Sequence, residues 1–242
     1  MTKNFAHRGF SGKYPENTML AFEKAIEAGC EGMEFDVQFS KDGEMVIFHD
    51  ETVNRTTNGK GRIKDHTFEE LSLLDASYIY MGTYGVNRIP TLREYFDLVK
   101  DLPVISNIEL KTGIYEYEGI ERSVYDLIKE YDIKDRIIIS SFNHFTIRRM
   151  KAIDPTMKCG LLEESWLIDA GKYVKTAGVE CYHPIFRCLN DDVVNEVKSH
   201  GIEINTWTVN EVEDIEDMIR KNVDSVISNY PDRVKEVLDS MK

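Results

Sequence analysis

The sequence predicts a (β/α)8 barrel of the TIM type, an α/β fold, carrying a small inserted subdomain after its second strand. Eight short runs rich in apolar and β-branched residues alternate with longer amphipathic segments along the whole chain, the order expected of repeated βα units around a parallel sheet. No Gly-x-Gly-x-x-Gly follows the first strand, which argues against an open doubly wound sheet. The 242 residues contain no linker-like interruption, and a single barrel commonly uses about 250.

Strands are expected at residues 5–7, 33–37, 105–110, 137–141, 158–162, 179–184, 203–209 and 225–228. Helices are expected at 18–28, 91–100, 117–131, 144–153, 191–199, 212–220 and 232–241, with Gly29, Gly178 and Gly201 standing where a glycine ends a helix. After the second strand, Ser40-Lys41-Asp42-Gly43 is a turn signal and residues 45–48 read as a returning strand that delivers His49-Asp50. Residues 51–90 are too long for an ordinary βα loop and contain an amphipathic piece at 68–74. They read as an insertion within one barrel domain that spans 1–242.

Composition narrows the function. With 42% hydrophobic and 30% charged residues the chain is too rich in core formers for disorder and too polar for a membrane bundle. Thirty basic against 43 acidic residues leave −13, which excludes a broad footprint for nucleic acid or an anionic membrane. The N-terminal residues lack an apolar signal region and no run reaches the eighteen or so residues of a spanning helix, so a cytoplasmic protein without a membrane anchor is expected. Cys30, Cys159, Cys181 and Cys188 are scattered, with no Cys-x-x-Cys pair, and read as reduced wall or core residues.

Charged residues collect at the predicted C-terminal ends of strands, where barrel active sites lie. Glu34 and Asp36, two apart, share one face of the second strand, while Met33, Phe35 and Val37 take the other face toward the helices. Glu109 and Lys111 repeat the device on the next barrel strand, and strands about 4.8 Å apart let Glu34, Asp36 and Glu109 meet. Three converging carboxylates need a neutralising cation, and an all-oxygen set suits Mg²⁺ or Ca²⁺. His7 and His49 end the first strand and the hairpin, so two proton carriers approach the cluster from different loops. Among the other histidines, His183 alone follows a strand in a position that could face the site.

Arg8 and Lys111, with Arg55 as a further candidate, supply positive charge suited to a phosphate, although a salt bridge to these same carboxylates is the competing reading. Pro15-Glu16-Asn17-Thr18 opens the first helix with Asn17 or Thr18 as its cap, and Glu16 or Asn17 is a further candidate for the site. Trp207 serves as an apolar ligand wall or as core, and Ser141-Phe142 occupy the corresponding place on another strand.

Taken together, His7-Arg8-Gly9, Pro15-Glu16-Asn17-Thr18, Glu34-Phe35-Asp36-Val37, Phe48-His49-Asp50, Glu109-Leu110-Lys111 and Trp207-Thr208-Val209-Asn210 resemble the glycerophosphodiester phosphodiesterase family. Ile89-Pro90-Thr91-Leu92 and the segment 223–231 look like further landmarks of that family. The resemblance implies a divalent-metal-dependent hydrolysis of small glycerophosphodiesters to sn-glycerol 3-phosphate and an alcohol. It places metal ligands at Glu34, Asp36 and Glu109, catalytic histidines at His7 and His49, and phosphate-binding groups at Arg8 and Lys111. It departs at Asn229, where many members carry aspartate, a difference expected to touch only a peripheral contact. The alternatives are a lysophospholipase D-like or other phosphodiesterase with a more apolar mouth, toward which Tyr78, Tyr80 and Tyr84 of the insertion point, and a non-catalytic phosphodiester-binding protein. The head group, the ion, the acid and base roles of the histidines, and homo-oligomerisation stay open at this level.

Overall fold

The structure is a computed structural model that describes all 242 residues. Eight parallel strands close on themselves: β1 (Lys3–His7), β2 (Gly32–Phe39), β4 (Ile105–Leu110), β5 (Ile137–Ser141), β6 (Cys159–Glu163), β7 (Cys181–Pro184), β8 (Glu203–Thr206) and β9 (Ser225–Ser228). Each pairs in parallel with the next, and β1 pairs with both β9 and β2, so the barrel has no open edge. The short β3 (Met45–Ile47) returns antiparallel on the end of β2, as the turn signal predicts.

Around the barrel run α1 (Met19–Glu27), α3 (Leu92–Val99), α4 (Ile120–Tyr131), α5 (His144–Ile153), α6 (Ala170–Thr176), α7 (Asp191–Ser199), α8 (Val212–Arg220) and α9 (Pro231–Ser240), while α2 (Phe68–Ser72) lies in the insertion. Caps explain several starts. Thr91 accepts from the Glu94 amide while the Glu94 carboxylate accepts from the Thr91 amide, and Thr18 and Asn190 accept from Ala21 and Val193. Met33, Phe35 and Val37 face outward with no exposed surface and join the core between strands and helices, each contributing roughly 2 kcal/mol of burial.

Three departures from expectation exceed two residues. The helix α6 was not legible: it has seven residues, no capping side chain and Gly171 in its first turn. That glycine is required, since a Cβ there would sit 2.7 Å from Val197 Cα on α7. Helix α4 begins at Ile120 because Gly119 precedes it with φ of 86°, and Tyr117 instead donates its hydroxyl to Gln38. Strand β8 stops at Thr206, beyond which Trp207 makes a single bridge to Ile185.

The insertion has its own apolar cluster of Val46, Phe48, Val53, Ile63, Leu71, Ala76 and Ile89. It leans on the β1–α1 loop, where Tyr80 and Tyr84 donate to the Tyr14 and Lys13 carbonyls and Tyr84 packs against Tyr14 at 5.3 Å. Tyr78, Tyr80 and Tyr84 therefore do not line the mouth of the barrel. No helix is long and apolar enough to cross a membrane, and all four cysteines are free and buried.

Inside the barrel an apolar layer of Phe5, Ile138, Cys181 and Ile227 accompanies a polar one. His183 is fully buried in that interior, where its Nε2 accepts from Asn205 Nδ2 at 3.0 Å and Ser225 in turn donates to Asn205 Oδ1. Gly160 makes room for the ring: a Cβ there would lie 2.4 Å from His183 Nε2. His183 thus does not face the site. Burial, with Lys158 adding to it, lowers its pKa to about 3. An unfolded imidazole takes up a proton below about pH 6.5 and this one does not until about pH 3, so its share of stability is complete above pH 6.5 and falls as pH falls. Unfolding free energy followed by denaturant titration between pH 6.5 and 4 should drop more steeply for the parent than for His183→Gln, by up to about 1.4 kcal/mol per pH unit. Parallel pH slopes would show that His183 titrates normally in the fold.

Candidate active site

The catalytic candidates meet because strand register brings them to one level. Asp36 on β2 is paired with Glu109 on β4, and Glu34 with Asn107, so inward-facing carboxylates stand side by side. One oxygen from each of Glu34, Asp36 and Glu109 lies within 4.8 Å of the others, and all three side chains are buried, at 6%, 1% and 7% exposed. His7 pairs with Glu34 across β1 and β2, which brings His7 Nε2 to 3.7 Å from Glu34 Oε2.

The chain turns sharply as it leaves β1. Arg8 and Gly9 both take left-handed φ values, 55° and 73°, and a Cβ on Gly9 would lie 2.7 Å from the Ala21 backbone, so glycine is required. The turn directs Arg8 back over β2, where its Nε lies 3.5 Å from Asp36 Oδ2 and its Nη1 donates to Glu16 at 2.9 Å. Asn17, also left-handed at 56°, donates its amide to Asp36 Oδ2 at 2.9 Å. Lys111 donates to Glu109 at 2.9 Å and stands 3.8 Å from Asp36. Arg8 and Lys111 are thus both bound to the carboxylates and placed beside the cavity, so the salt-bridge reading holds without displacing the site reading.

His49 follows β3 and is fixed from both sides. Gln38, the next inward residue after Asp36, donates its amide to the carbonyls of Phe48 and Asp50 at 2.8 Å each. The His49 Nδ1–H donates to Asp50 Oδ1 at 2.7 Å, Arg55 donates to Asp50 at 2.7 Å, and the same guanidinium reaches Glu16. Arg55 is therefore a strut between Asp50 and Glu16 and does not line the cavity. Gln38 escaped the sequence reading, although its position two residues beyond Asp36 gave the needed parity.

On the other side, His7 Nδ1 lies 2.6 Å from Asn229 Oδ1, which also accepts from Ser11 at 3.0 Å. An amide oxygen only accepts, so the ring proton sits on Nδ1 and the Nε2 lone pair faces Glu34. Asn229 touches a catalytic candidate directly and is not peripheral. Its backbone amide and Ser228 both donate to Asn210 Oδ1, which fixes the segment.

Electrostatics divide the cluster. Burial, with Asp36 and Glu109 nearby, raises the Glu34 carboxyl well above its ordinary range, and burial likewise raises Glu109 against the pull of Lys111. At Asp36 burial also pushes upward, but Arg8, His49, Lys111 and the Asn17 amide outweigh it and hold the carboxyl below its usual range. Burial and then Arg8 lower His7 to about 3, which keeps its ring neutral near pH 7. Burial opposes the charge on Lys111, but Glu109 and Asp36 prevail and raise its pKa.

The trio passes a direct test for a cation. Glu34 Oε2 and Asp36 Oδ1 are buried oxygens without a hydrogen-bond partner, and the cluster is composed of oxygen donors alone, the set a hard divalent ion requires. The cavity above them measures about 310 Å³ and is bounded by His7, Arg8, His49 and Lys111 on the charged side. Trp207 and Phe142 bound it opposite, edge to face with ring centres 5.5 Å apart. The Trp207 Nε1–H donates to the His183 carbonyl at 2.9 Å, which holds the indole in place.

A model of the glycerophosphoryl diester phosphodiesterase family matches residues 7–233. The chain is 43% identical to a glycerophosphodiester phosphodiesterase of Caldanaerobacter subterraneus subsp. tengcongensis over 94% of this chain and 93% of that one. It is 40% identical, over the full length of both, to a glycerophosphodiester phosphodiesterase of Bacillus altitudinis. In structure it is similar to an Oleispira antarctica phosphodiesterase solved with the product sn-glycerol-3-phosphate, with a TM-score of 0.90, 29% identity, and coverage of 97% of this chain and 96% of that one. With that family match across nearly all of the barrel, the chain belongs to the glycerophosphoryl diester phosphodiesterase family.

Proposed function

We propose that this enzyme hydrolyses glycerophosphodiesters to sn-glycerol 3-phosphate and an alcohol, with one divalent cation held by Glu34, Asp36 and Glu109 and with His7 and His49 moving the protons. The observation that carries the reading is the buried carboxylate trio at the base of a cavity that both histidines, Arg8 and Lys111 share. The names of the relatives and the product bound to the Oleispira antarctica enzyme support the same substrate class.

The ion, Mg²⁺ or Ca²⁺, would polarise the phosphoryl oxygens when bound. Arg8 offers a planar fork and Lys111 a compact charge to those oxygens, and both are pre-positioned by carboxylates, so little reorganisation is needed as charge builds at phosphorus. The two histidines sit in different surroundings. Asp50, an acceptor only, takes the His49 Nδ1–H and fixes the ring beside the cavity, and His49 is assigned to deliver a proton to the leaving alcohol oxygen. His7, neutral and faced by an amide, suits the acceptor role through Nε2. It takes the proton of the attacking hydroxyl, which is the 2-hydroxyl of the glycerol if a cyclic phosphate forms first and water if it does not.

Release of sn-glycerol 3-phosphate from glycerophosphocholine and glycerophosphoethanolamine should require Mg²⁺ or Ca²⁺ and stop with EDTA; unchanged release in EDTA would remove the ion from the reaction. Replacing Asp36 by Asn should lower divalent affinity by tenfold or more in calorimetry, and unaltered affinity would dissolve the proposed ligand set. His7→Ala and His49→Ala should each lose roughly 10²-fold or more in kcat on glycerophosphocholine. A p-nitrophenyl ester, whose leaving group needs no proton, should restore most of the rate to His49→Ala but not to His7→Ala; rescue of the other variant would exchange the two roles. Asn229→Ala should lower kcat by about tenfold with little change in KM, because it frees the ring that accepts the proton. An effect confined to KM would assign Asn229 to substrate contact.

A further inference from the structure

The cavity is divided. The arc from β1 to β4 holds the carboxylates, the histidines and both cations of the lining, whereas the arc from β5 to β8 holds Phe142, Leu162, Glu164 and Trp207. The cations cannot serve that second arc: Arg8 is engaged by Glu16 and Asp36, and Lys111 by Glu109. Glu164 has no basic partner. The far half of the cavity therefore presents two π systems and unneutralised negative charge.

Such a surface rejects a carboxylate or a second phosphate and attracts a cation. Trp207 is the best of the aromatic side chains for attracting one, and its indole is already held by the His183 carbonyl and by packing against Phe142, so it loses little freedom on binding. With the phosphodiester seated against Arg8, Lys111 and the carboxylate trio, the group that extends into the far half is one of the two alcohols of the substrate. Glycerol carries no charge, so a cation in that position belongs to the leaving alcohol.

We propose that Phe142, Trp207 and Glu164 form a subsite for a cationic amino-alcohol head group, a quaternary ammonium above all, and that this subsite sets the preference of the enzyme among glycerophosphodiesters. The proposal rests on the hydrolytic reading above and deepens it. A quaternary ammonium fits the subsite better than a primary amine because it has no N–H donors to desolvate beside the aromatic walls.

The decisive comparison is kcat/KM for sn-glycerol 3-phosphate release from glycerophosphocholine and from the ester of glycerol 3-phosphate with 3,3-dimethylbutanol, which has the shape of choline without its charge. The choline ester should be favoured by roughly tenfold or more, the scale of a desolvated cation–π contact with a carboxylate beside it. Glu164→Gln and Trp207→Leu should each reduce that ratio several-fold, and because the ratio is taken within one enzyme preparation it is insensitive to the folded fraction. Equal rates for the two esters in the parent enzyme would overturn the cation subsite and leave an apolar pocket in its place. Absence of release from both esters with either ion would instead overturn the hydrolytic reading itself.

Discussion

The constraint that organises this molecule is the presence of three carboxylates at one level inside a closed barrel. The strand register makes the encounter unavoidable: with Asp36 opposite Glu109 and Glu34 two residues behind, no rotation of the side chains takes them far apart. Burying a carboxylate without compensation costs several kcal/mol, and three together add mutual repulsion. Much of what surrounds the cluster supplies that compensation. Arg8 and Asn17 are both held in left-handed backbone conformations, uncommon for arginine and tolerated by asparagine, and both direct a donor at Asp36. The strain sits where a positive or N–H group is needed most. Even so, two carboxylate oxygens stay buried and unpartnered, a deficit that a divalent ion would fill.

The same demand for compensation spreads outward as a string of alternating charge. His49, Asp50, Arg55, Glu16, Arg8 and Asp36 follow one another in contact, linking the hairpin, the insertion, the β1–α1 loop and β2. No single pair near the surface contributes much, but the string couples the orientation of His49 to that of Arg8. It also explains why the insertion needs its clamp on the β1–α1 loop. Tyr80 and Tyr84 hold residues 13 and 14, one proline away from Glu16, and so steady the carboxylate that joins the two arginines. The insertion shapes the site from behind and takes no part in lining it.

Much of this was legible in the sequence, and for a definite reason. Features that depend on period or on a single strand, such as the alternation of Met33, Glu34, Phe35, Asp36 and Val37, can be read without coordinates. The eight strands, the hairpin and the placement of the eight candidate site residues at or beneath one cavity fall in this class. What escaped depends on contacts between distant segments. Asn229 is 222 residues from His7, and only closure of β9 onto β1 brings its amide to the ring. The helix α6 is defined by close packing of Gly171 against α7 and lacks the caps and length that give a helix a local signature. His183 ends a run indistinguishable from that of a catalytic strand, yet its side chain points below the cavity into space that Gly160 leaves free. Arg55 reads as a phosphate ligand until its two acidic partners are seen together.

The two halves of the cavity are built to different standards of rigidity, and this difference has a functional meaning. The charged half is carried on strand ends and first turns, where register and buried hydrogen bonds fix positions closely. The aromatic half is carried largely on the loops after β5, β6 and β8, with Trp207 anchored and Phe142 and Glu164 more open to solvent. Changes in those loops can therefore reshape this half without moving a carboxylate or a histidine, because neither Phe142, whose side chain has no hydrogen-bonding group, nor Glu164 is bonded to the carboxylate cluster. On the hydrolytic reading proposed above, the cleaving groups would sit on strand ends and the head-group contacts on loops, so that one could vary without the other.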